Sequence, residues 1–438
     1  MTTQEKYALA DLVIEYALKK GAQQVSVAID DSLSNDIEIR DQQIDKLTES
    51  NRNSLNISLY VDNKYSSHST NRLKKEDLFK FIDEAIASTR FLSEDEFRML
   101  PDPELYYKGG GSELNVYDTK LESVDAKTKI DLANQVMNEA FKKDERIISV
   151  SSFYSDSLSN RVLVTSNGFK GDEARSNVSL YATVSVKADS GRPSDYWYES
   201  ALFFDKLKKT EIGKKALGRA LQKIGPKKIK SGKYTMIVEN RAAGNLLGPF
   251  YNALQGYNVY QKQSFLAGSQ GKSVASAVMT VHDDPSIPSG PGSRLFDDEG
   301  LASAKRVIVD GGVLQSFYID NYYGKKLGMK PTSGSTSNVV FKLGNRDAAT
   351  MTGNIKMGIL VTGFNGGNCN GSTGDFSYGI DGFLIENGKI IHPLNEMNIT
   401  GNMKQFWLNL IEAGNDIIEG SSFKIPSLMF DKVDFSGI

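Results

Sequence analysis

Between two apolar runs of this chain lies the stretch Asn365-Gly-Gly-Asn-Cys-Asn-Gly-Ser-Thr-Gly-Asp-Phe-Ser-Tyr-Gly379. Glycine has no Cβ, so a run this rich in it lets the backbone bend sharply and approach another chain closely. Upstream, Lys356-Met-Gly-Ile-Leu-Val-Thr-Gly363 reads as a buried strand. Downstream, Gly382-Phe-Leu-Ile-Glu-Asn-Gly-Lys-Ile-Ile-His392 reads as a hairpin turning at Asn387-Gly388. The expectation is a glycine-rich loop held between strands, where an extended peptide or a partner's backbone can dock.

Outside this stretch the pattern is mixed. Ala8, Leu9, Leu12, Val13, Tyr16 and Ala17 share one face of a helix over 4–20 that Gly21 ends. Alternation then predicts strands over Gln24–Asp30, Asp36–Leu47 and Ser54–Val61, followed by a helix over Lys75–Leu92. Leu100-Pro-Asp-Pro103 and Lys108-Gly-Gly-Gly-Ser112 break the pattern and mark a linker. Beyond it come a helix over Val124–Lys143, strands over Ile147–Tyr154, Asn160–Ser166, Val178–Lys187 and Tyr196–Phe204, and a helix over Glu211–Ile224. From Tyr234 strands dominate: Tyr234–Val238, Arg306–Val309 and Val313–Tyr318, with one helix over Arg241–Leu254. The fold class expected is α+β, with a mixed domain over 1–105, a second over 106–231 and a β-rich domain over 232–438. No internal repeat or low-complexity tract is present.

Charge narrows the partners. Lysine plus arginine number 52 against 54 aspartates and glutamates, a net of −2, so no global basic field attracts nucleic acid. The basic patch Lys227-Lys-Ile-Lys230 has no interleaved aromatic residues and reads as a solvated connector. No segment has the roughly 18 uninterrupted apolar residues of a membrane helix, and the first ten residues lack a signal-peptide pattern. Cys369, the single cysteine, excludes an internal disulfide and any multi-cysteine zinc site. A cytoplasmic protein is expected.

Thr373-Gly-Asp-Phe-Ser-Tyr-Gly379, Gly382-Phe-Leu-Ile-Glu-Asn-Gly-Lys389 and Ile399-Thr-Gly-Asn402 together resemble the C-terminal signature of the TldD/PmbA family, once called modulators of DNA gyrase and now regarded as bacterial peptidases. Asp283-Asp-Pro285, Phe296-Asp-Asp-Glu-Gly300 and Tyr323-Gly-Lys-Lys-Leu-Gly328 fall in the order the resemblance requires, which extends from about residue 20 to the end. In the family's active branch a helix carries His-Glu-x-x-x-His: two imidazoles bind zinc and the glutamate activates a bound water. With Leu246-Leu247 set on the apolar pair before that motif, Gly248 and Pro249 stand for the first histidine and the glutamate, and Ala253 for the second histidine. None can bind a metal, and Leu410–Ile438 lacks the cysteine of the active branch. The resemblance therefore implies the PmbA (TldE) branch. Such a subunit has no catalytic residues or cofactor of its own, and it partners a zinc-bearing TldD-like homologue that acts on peptides or unfolded proteins.

Other chemistry is weaker. His68, His282 and His392 lie in separate contexts, and His282-Asp283-Asp284-Pro285 reads as a turn before it reads as a cation site. Gly367-Asn-Cys-Asn-Gly371 has the form of a nucleophile elbow with His392 as base, but Gly371-Ser-Thr-Gly374 opposes the helix an elbow needs. Gly268-Ser-Gln-Gly-Lys-Ser273 has Leu266 where a phosphate loop needs glycine. Phe296–Gly300 lacks the alternating donors of a calcium loop and reads as an acidic turn beside Arg294 or Arg306. Cys369, Thr373, Gly374, Asp375, Phe376 and Ser377 remain the candidate peptide- or partner-binding loop. Two alternatives stay open: a self-sufficient peptidase using Cys369 or unrecognised ligands, and a peptide-binding or scaffold homodimer.

Overall fold

The computed structural model describes residues 1–111, 113–189 and 191–437; Ser112, which closes the linker run from Lys108, lies outside them. Helix α1 (Thr3–Lys19) opens with a reciprocal cap, in which Thr2 Oγ1 accepts from Glu5 N and the Glu5 carboxylate accepts from Thr2 N. Strands β1 (Gln24–Arg40), β2 (Gln43–Val61) and β3 (Lys64–Thr70) and helix α2 (Lys75–Thr89) follow. Past the linker come α3 (Ala126–Asn138), β4 (Ile147–Thr165), β5 (Lys170–Val186), β6 (Ser194–Ala201) and α4 (Ile212–Gln222). The strands on both sides of the linker belong to one antiparallel sheet of order β3-β2-β1-β4-β5-β6. Val25, Val27, Ile29, Leu55, Ile57 and Leu59 are buried with the apolar stripes of α1 and α2. Val150, Tyr154, Val178 and Leu180 are buried with those of α3 and α4.

The strands are longer than the sequence reading makes them. Gln24–Asp30 and the start of Asp36–Leu47 are one strand, as are Ile147–Tyr154 and Asn160–Ser166. The turn lies inside the expected Asp36–Leu47 strand, at Asp41 and Gln42, both at positive φ (48° and 69°). The polar residues 31–35 look like a turn, but each pairs with β2 on one side and β4 on the other. Their side chains find partners: Lys6 Nζ lies 2.8 Å from Asp31, and Asn35 Nδ2 donates to Asp156 Oδ1 at 2.9 Å. Paired in this way, polar residues continue a ladder rather than end it.

The C-terminal region is rich in strands. β7 (Gly232–Val238) leads into α5 (Asn240–Ala253); later come β8 (Met357–Cys369), β9 (Asp375–Glu386), β10 (Lys389–Pro393), β11 (Met397–Asn402) and β12 (Leu428–Ser436). The order β8-β7-β12-β11-β9, with β9 also paired to β8, closes into a barrel-like ring with β10 outside it. Asn387 (φ 49°) and Gly388 (φ 76°) form the expected hairpin turn between β9 and β10. A small second sheet joins Arg306–Asp310, Val281–Asp283 and three shorter strands; Val313–Tyr318 is a strand only over Val313–Leu314. Trp407 is fully buried in the core, its ring 5.5 Å from Phe430 and 5.7 Å from Phe250 of α5.

The acidic turn 296–300 docks this region on the first sheet. Asp297 Oδ1 accepts from the backbone of Glu299 and Leu301, while Asp298 pairs with Arg161 of β4, not with Arg294 or Arg306. The segment leading into the linker adds a second contact: Tyr322 Oη donates to Asp95 Oδ2 at 2.6 Å, and Asn321 Nδ2 donates to the Met99 carbonyl at 2.8 Å. Lys227 bridges to Leu394 and Lys228 pairs with Glu396, so the basic patch ties the connector to the barrel.

Candidate functional site

Helix α5 leaves β7 beside β8, where Glu239 N donates to the Val361 carbonyl at 2.9 Å. β8 pairs with β7 over Gly358–Val361; past Val361 its ladder partner among the described residues is β9 alone, which leaves its other edge unpaired there. α5 turns Leu246, Leu247, Phe250 and Tyr251 into the core and leaves Gly244, Asn245, Gly248, Pro249 and Asn252 outward. Two cavities lie between this helix and the free edge. One, of about 350 Å³, has Arg241 and Asn245 facing Thr362, Gly363 and Phe364. The other, of about 760 Å³, has Pro249, Asn252 and Ala253 facing Cys369 and Asn370. From Thr362 in the first cavity to Cys369 in the second, the β8 edge runs about 20 Å at the 3.3 Å rise of a strand. An extended peptide of about six residues spans that length.

The glycine-rich stretch is not the loop expected from sequence. β8 runs on to Cys369 and β9 starts at Asp375, with Gly366 opposite Gly379, Gly367 opposite Tyr378, Asn368 opposite Ser377 and Cys369 opposite Phe376. Close approach of the two strands explains the glycines: a Cβ on Gly367, at φ +103°, would stand 1.9 Å from the Ser377 carbonyl oxygen. Thr373 and Gly374 lie in the turn between the strands. Asp375, Phe376 and Ser377 pair on their other side with Asn402, Gly401 and Thr400 of β11. They have no backbone edge to offer a peptide, and Phe376 is buried, its ring 5.3 Å from Phe406. Hydrogen bonds from Asn402 Nδ2 and Thr373 Oγ1 hold the Asp375 carboxyl below its ordinary range. The unpaired main chain is therefore that of β8, on the opposite side of the hairpin.

The fold brings Pro249 and Ala253 to the same cavity as Cys369, while Gly248 lies next to Pro249 with open space where a Cβ would stand. The polar groups there are the amides of Asn252, Asn258, Gln263 and Asn370, the hydroxyls of Tyr257 and Ser372, and the Cys369 thiol. Burial, reinforced by Asp375, pushes that thiol up. Neutral amides and a protonated thiol do not supply the three anionic or imidazole donors of a zinc site. Among the described residues no three His, Cys, Asp or Glu side chains are grouped so as to hold a metal ion.

The histidines do not converge. His68 lies on β3, hydrogen-bonded to Ser66 Oγ at 2.8 Å and held low by burial. His282 lies in the small sheet, and His392 on β10, with Nδ1 2.9 Å from the Pro393 carbonyl. Asp283 is buried, 2.9 Å from Arg306 and accepting from Ser337 N, and Asp284 accepts from Ser286 and pairs with Lys305. Neither carboxylate is left for a cation. Cys369 is followed by a turn, not the helix of an elbow. Arg241 and the Thr362–Phe364 edge escaped the sequence reading, because what makes them a site is Trp197 and Tyr196 on β6, distant in the chain.

Comparison with known proteins places this geometry in context. The sequence matches profiles described as PmbA/TldA metallopeptidase domain 1 over 25–89, central domain over 119–224 and C-terminal domain over 231–437. It is 29% identical to the metalloprotease PmbA homolog of Haemophilus influenzae, covering 99% of this chain and 96% of that protein. A solved structure from Bacteroides thetaiotaomicron, named as a proposed modulator of DNA gyrase, superposes with a TM-score of 0.98 at 46% identity and 100% coverage of both chains. TldE of Thermococcus kodakarensis shares the fold at a TM-score of 0.88 and 21% identity, covering 98% of this chain and 100% of that one.

Proposed function

The chain belongs to the PmbA/TldD metallopeptidase family, and on that premise we propose that it is the non-catalytic, PmbA/TldE-like subunit of a zinc metallopeptidase complex acting on peptides or unfolded proteins. One observation carries the reading. Along α5, where the active branch would present two imidazoles and a carboxylate, stand Gly248, Pro249 and the buried Ala253, the last two lining a cavity whose polar groups are neutral. The zinc then belongs to a TldD-like partner subunit, and this chain contributes the wall against which substrate lies.

The free edge of β8 suits that role. Main-chain hydrogen bonds to an added strand are indifferent to side-chain sequence, and pockets beside the edge supply what selectivity there is. Holding an extended chain in one register converts its encounter with a partner's catalytic group into a positioned one. The cytoplasm is the proposed location; among the described residues no helix is long and apolar enough to cross a membrane.

The test is metal analysis and peptidase assay of the purified chain, alone and mixed with the TldD-like homologue from the same cell. The expected result is no stoichiometric zinc, no cleavage alone, and cleavage on mixing. One tightly held zinc per chain defeats the proposal, as does hydrolysis by the chain alone that alkylation of Cys369 abolishes.

A further inference from the structure

Arg241 stands in the first turn of α5, at the Thr362 end of the groove. Its guanidinium carbon lies 3.6 Å from the ring centroid of Trp197 and 4.5 Å from that of Tyr198, so the plane is held in place by stacking. Its hydrogen bonding is incomplete. Nη2 donates to the Tyr198 carbonyl at 3.3 Å, while Nη1 is shut from solvent and has no acceptor among the described residues.

The neighbouring cations each have carboxylate partners. Arg219 forks onto Glu239 at 2.8 and 2.9 Å and reaches Asp195 at 3.4 Å. Lys223 bridges Asp195 and Asp381, each at 3.2 Å. Asp381 also accepts from Asn365 Nδ2 at 2.8 Å. These three carboxylates are thus taken, and among the described residues none comes within 4.0 Å of Arg241. The deficit at Arg241 is one of acceptors, not of net charge. A half-buried guanidinium that keeps one donor unpaired is costly, and a carboxylate is the common group that suits it best.

We propose that Arg241 anchors a carboxylate of the bound peptide, either its free C-terminus or an acidic side chain, where the unpaired edge of β8 begins. The proposal rests on the reading of the groove as a peptide site. A strand added to that edge reaches Arg241 at one end, and Asn245 and Thr362 line the same cavity with further hydrogen-bonding groups. The fork thereby fixes where along the groove a peptide stops, a selectivity that main-chain pairing alone cannot give.

Fluorescence anisotropy on the full chain tests this with three N-terminally labelled hexapeptides of alternating valine and threonine. One is a free acid, one a C-terminal amide, and one an amide ending in glutamate. The free acid is expected to bind about ten- to a hundredfold more tightly than the plain amide, the range of a charge-assisted hydrogen bond to a buried group. Recovery of affinity by the glutamate peptide identifies a side-chain carboxylate as sufficient; its absence identifies the C-terminus. Arg241→Gln is expected to abolish the discrimination and Arg241→Lys to keep part of it. Equal binding of all three peptides by the unaltered chain, binding of none, or a preference that survives in R241Q overturns the proposal. The zinc content and complementation by the homologue are read separately, so loss of this proposal leaves the companion-subunit reading to its own test.

Discussion

Replacing Gly367 by alanine, with Gly366→Ala as control, separates two costs in the β8–β9 hairpin. Both glycines sit at positive φ, +145° for Gly366 and +103° for Gly367, so each alanine incurs roughly 1–2 kcal/mol of backbone strain. The difference lies in the space around them. A Cβ on Gly366 meets nothing within 4 Å, whereas one on Gly367 falls 1.9 Å from the Ser377 oxygen, far inside the 3.0 Å that real Cβ atoms keep. The strands must part by over about 1 Å, and the pairs beyond the clash, Asn368–Ser377 and Cys369–Phe376, lose their ladder. At about 1 kcal/mol for each of two hydrogen bonds, Gly367→Ala costs about 2 kcal/mol more than Gly366→Ala. Urea unfolding followed by the fluorescence of buried Trp407 measures this, and peptide anisotropy reports whether the groove opens. If the two variants unfold at the same urea concentration, the close approach at Gly367 carries no energy and the account of the hairpin is wrong.

Two further perturbations follow from buried charge. Burial pushes the Glu299 carboxyl up to about 8, against the opposing hydrogen bond from Asn321 N and with help from Asp297, Asp320 and Asp298. The folded chain therefore keeps a proton that the unfolded chain gives up. The associated stability is present below the ordinary glutamate value and is lost as pH rises through about 8. Glu299→Gln should match the parent near pH 4.5 and exceed it by on the order of 2 kcal/mol at pH 8.5, discounting for partial hydration; parallel melting curves across that range would refute the assignment. Lys129 and Asp156 form a pair 2.8 Å apart with side-chain exposures of 7% and 4%, Asp156 also accepting from Tyr154 Oη at 2.6 Å. Lys129→Met strands the carboxylate and should cost about 3–5 kcal/mol, with most of the loss recovered on adding Asp156→Asn; equal stability of the single and double variants in urea contradicts this.

What could be read from the residues alone was what local periodicity determines. The face Ala8, Leu9, Leu12, Val13, Tyr16 and Ala17 predicts α1, though the buried stripe is turned to Ala10, Val13, Ile14 and Ala17, and Asn387-Gly388 fixes a turn, because both signals lie within a few residues. The Asp41–Gln42 turn is hidden in the sequence, since Gln42 stands where such a turn usually has glycine and the flanking strands alternate straight through it. Gly367 reads in sequence as a bend, when it serves to bring two strands together. The α5–β8 groove was beyond reach for another reason: Ala253 and Cys369 meet only because a ring of strands closes between them. Periodicity carries no record of such a meeting.

β1 occupies the middle of the first sheet, with β2 on one side and β4 on the other. While the chain is being made, β2 and β3 emerge at once, but β4 is not complete until Thr165. At about 5–20 residues per second, the interval after Thr70 lasts on the order of 5–20 s. Throughout it, the stretch of β1 from Ser26 to Arg40 that later meets β4 is bare and ready to capture any extended strand. A nick or premature stop between α2 and β4 thus releases a sticky fragment instead of a free-standing unit, and quality control of the nascent protein must act in that window.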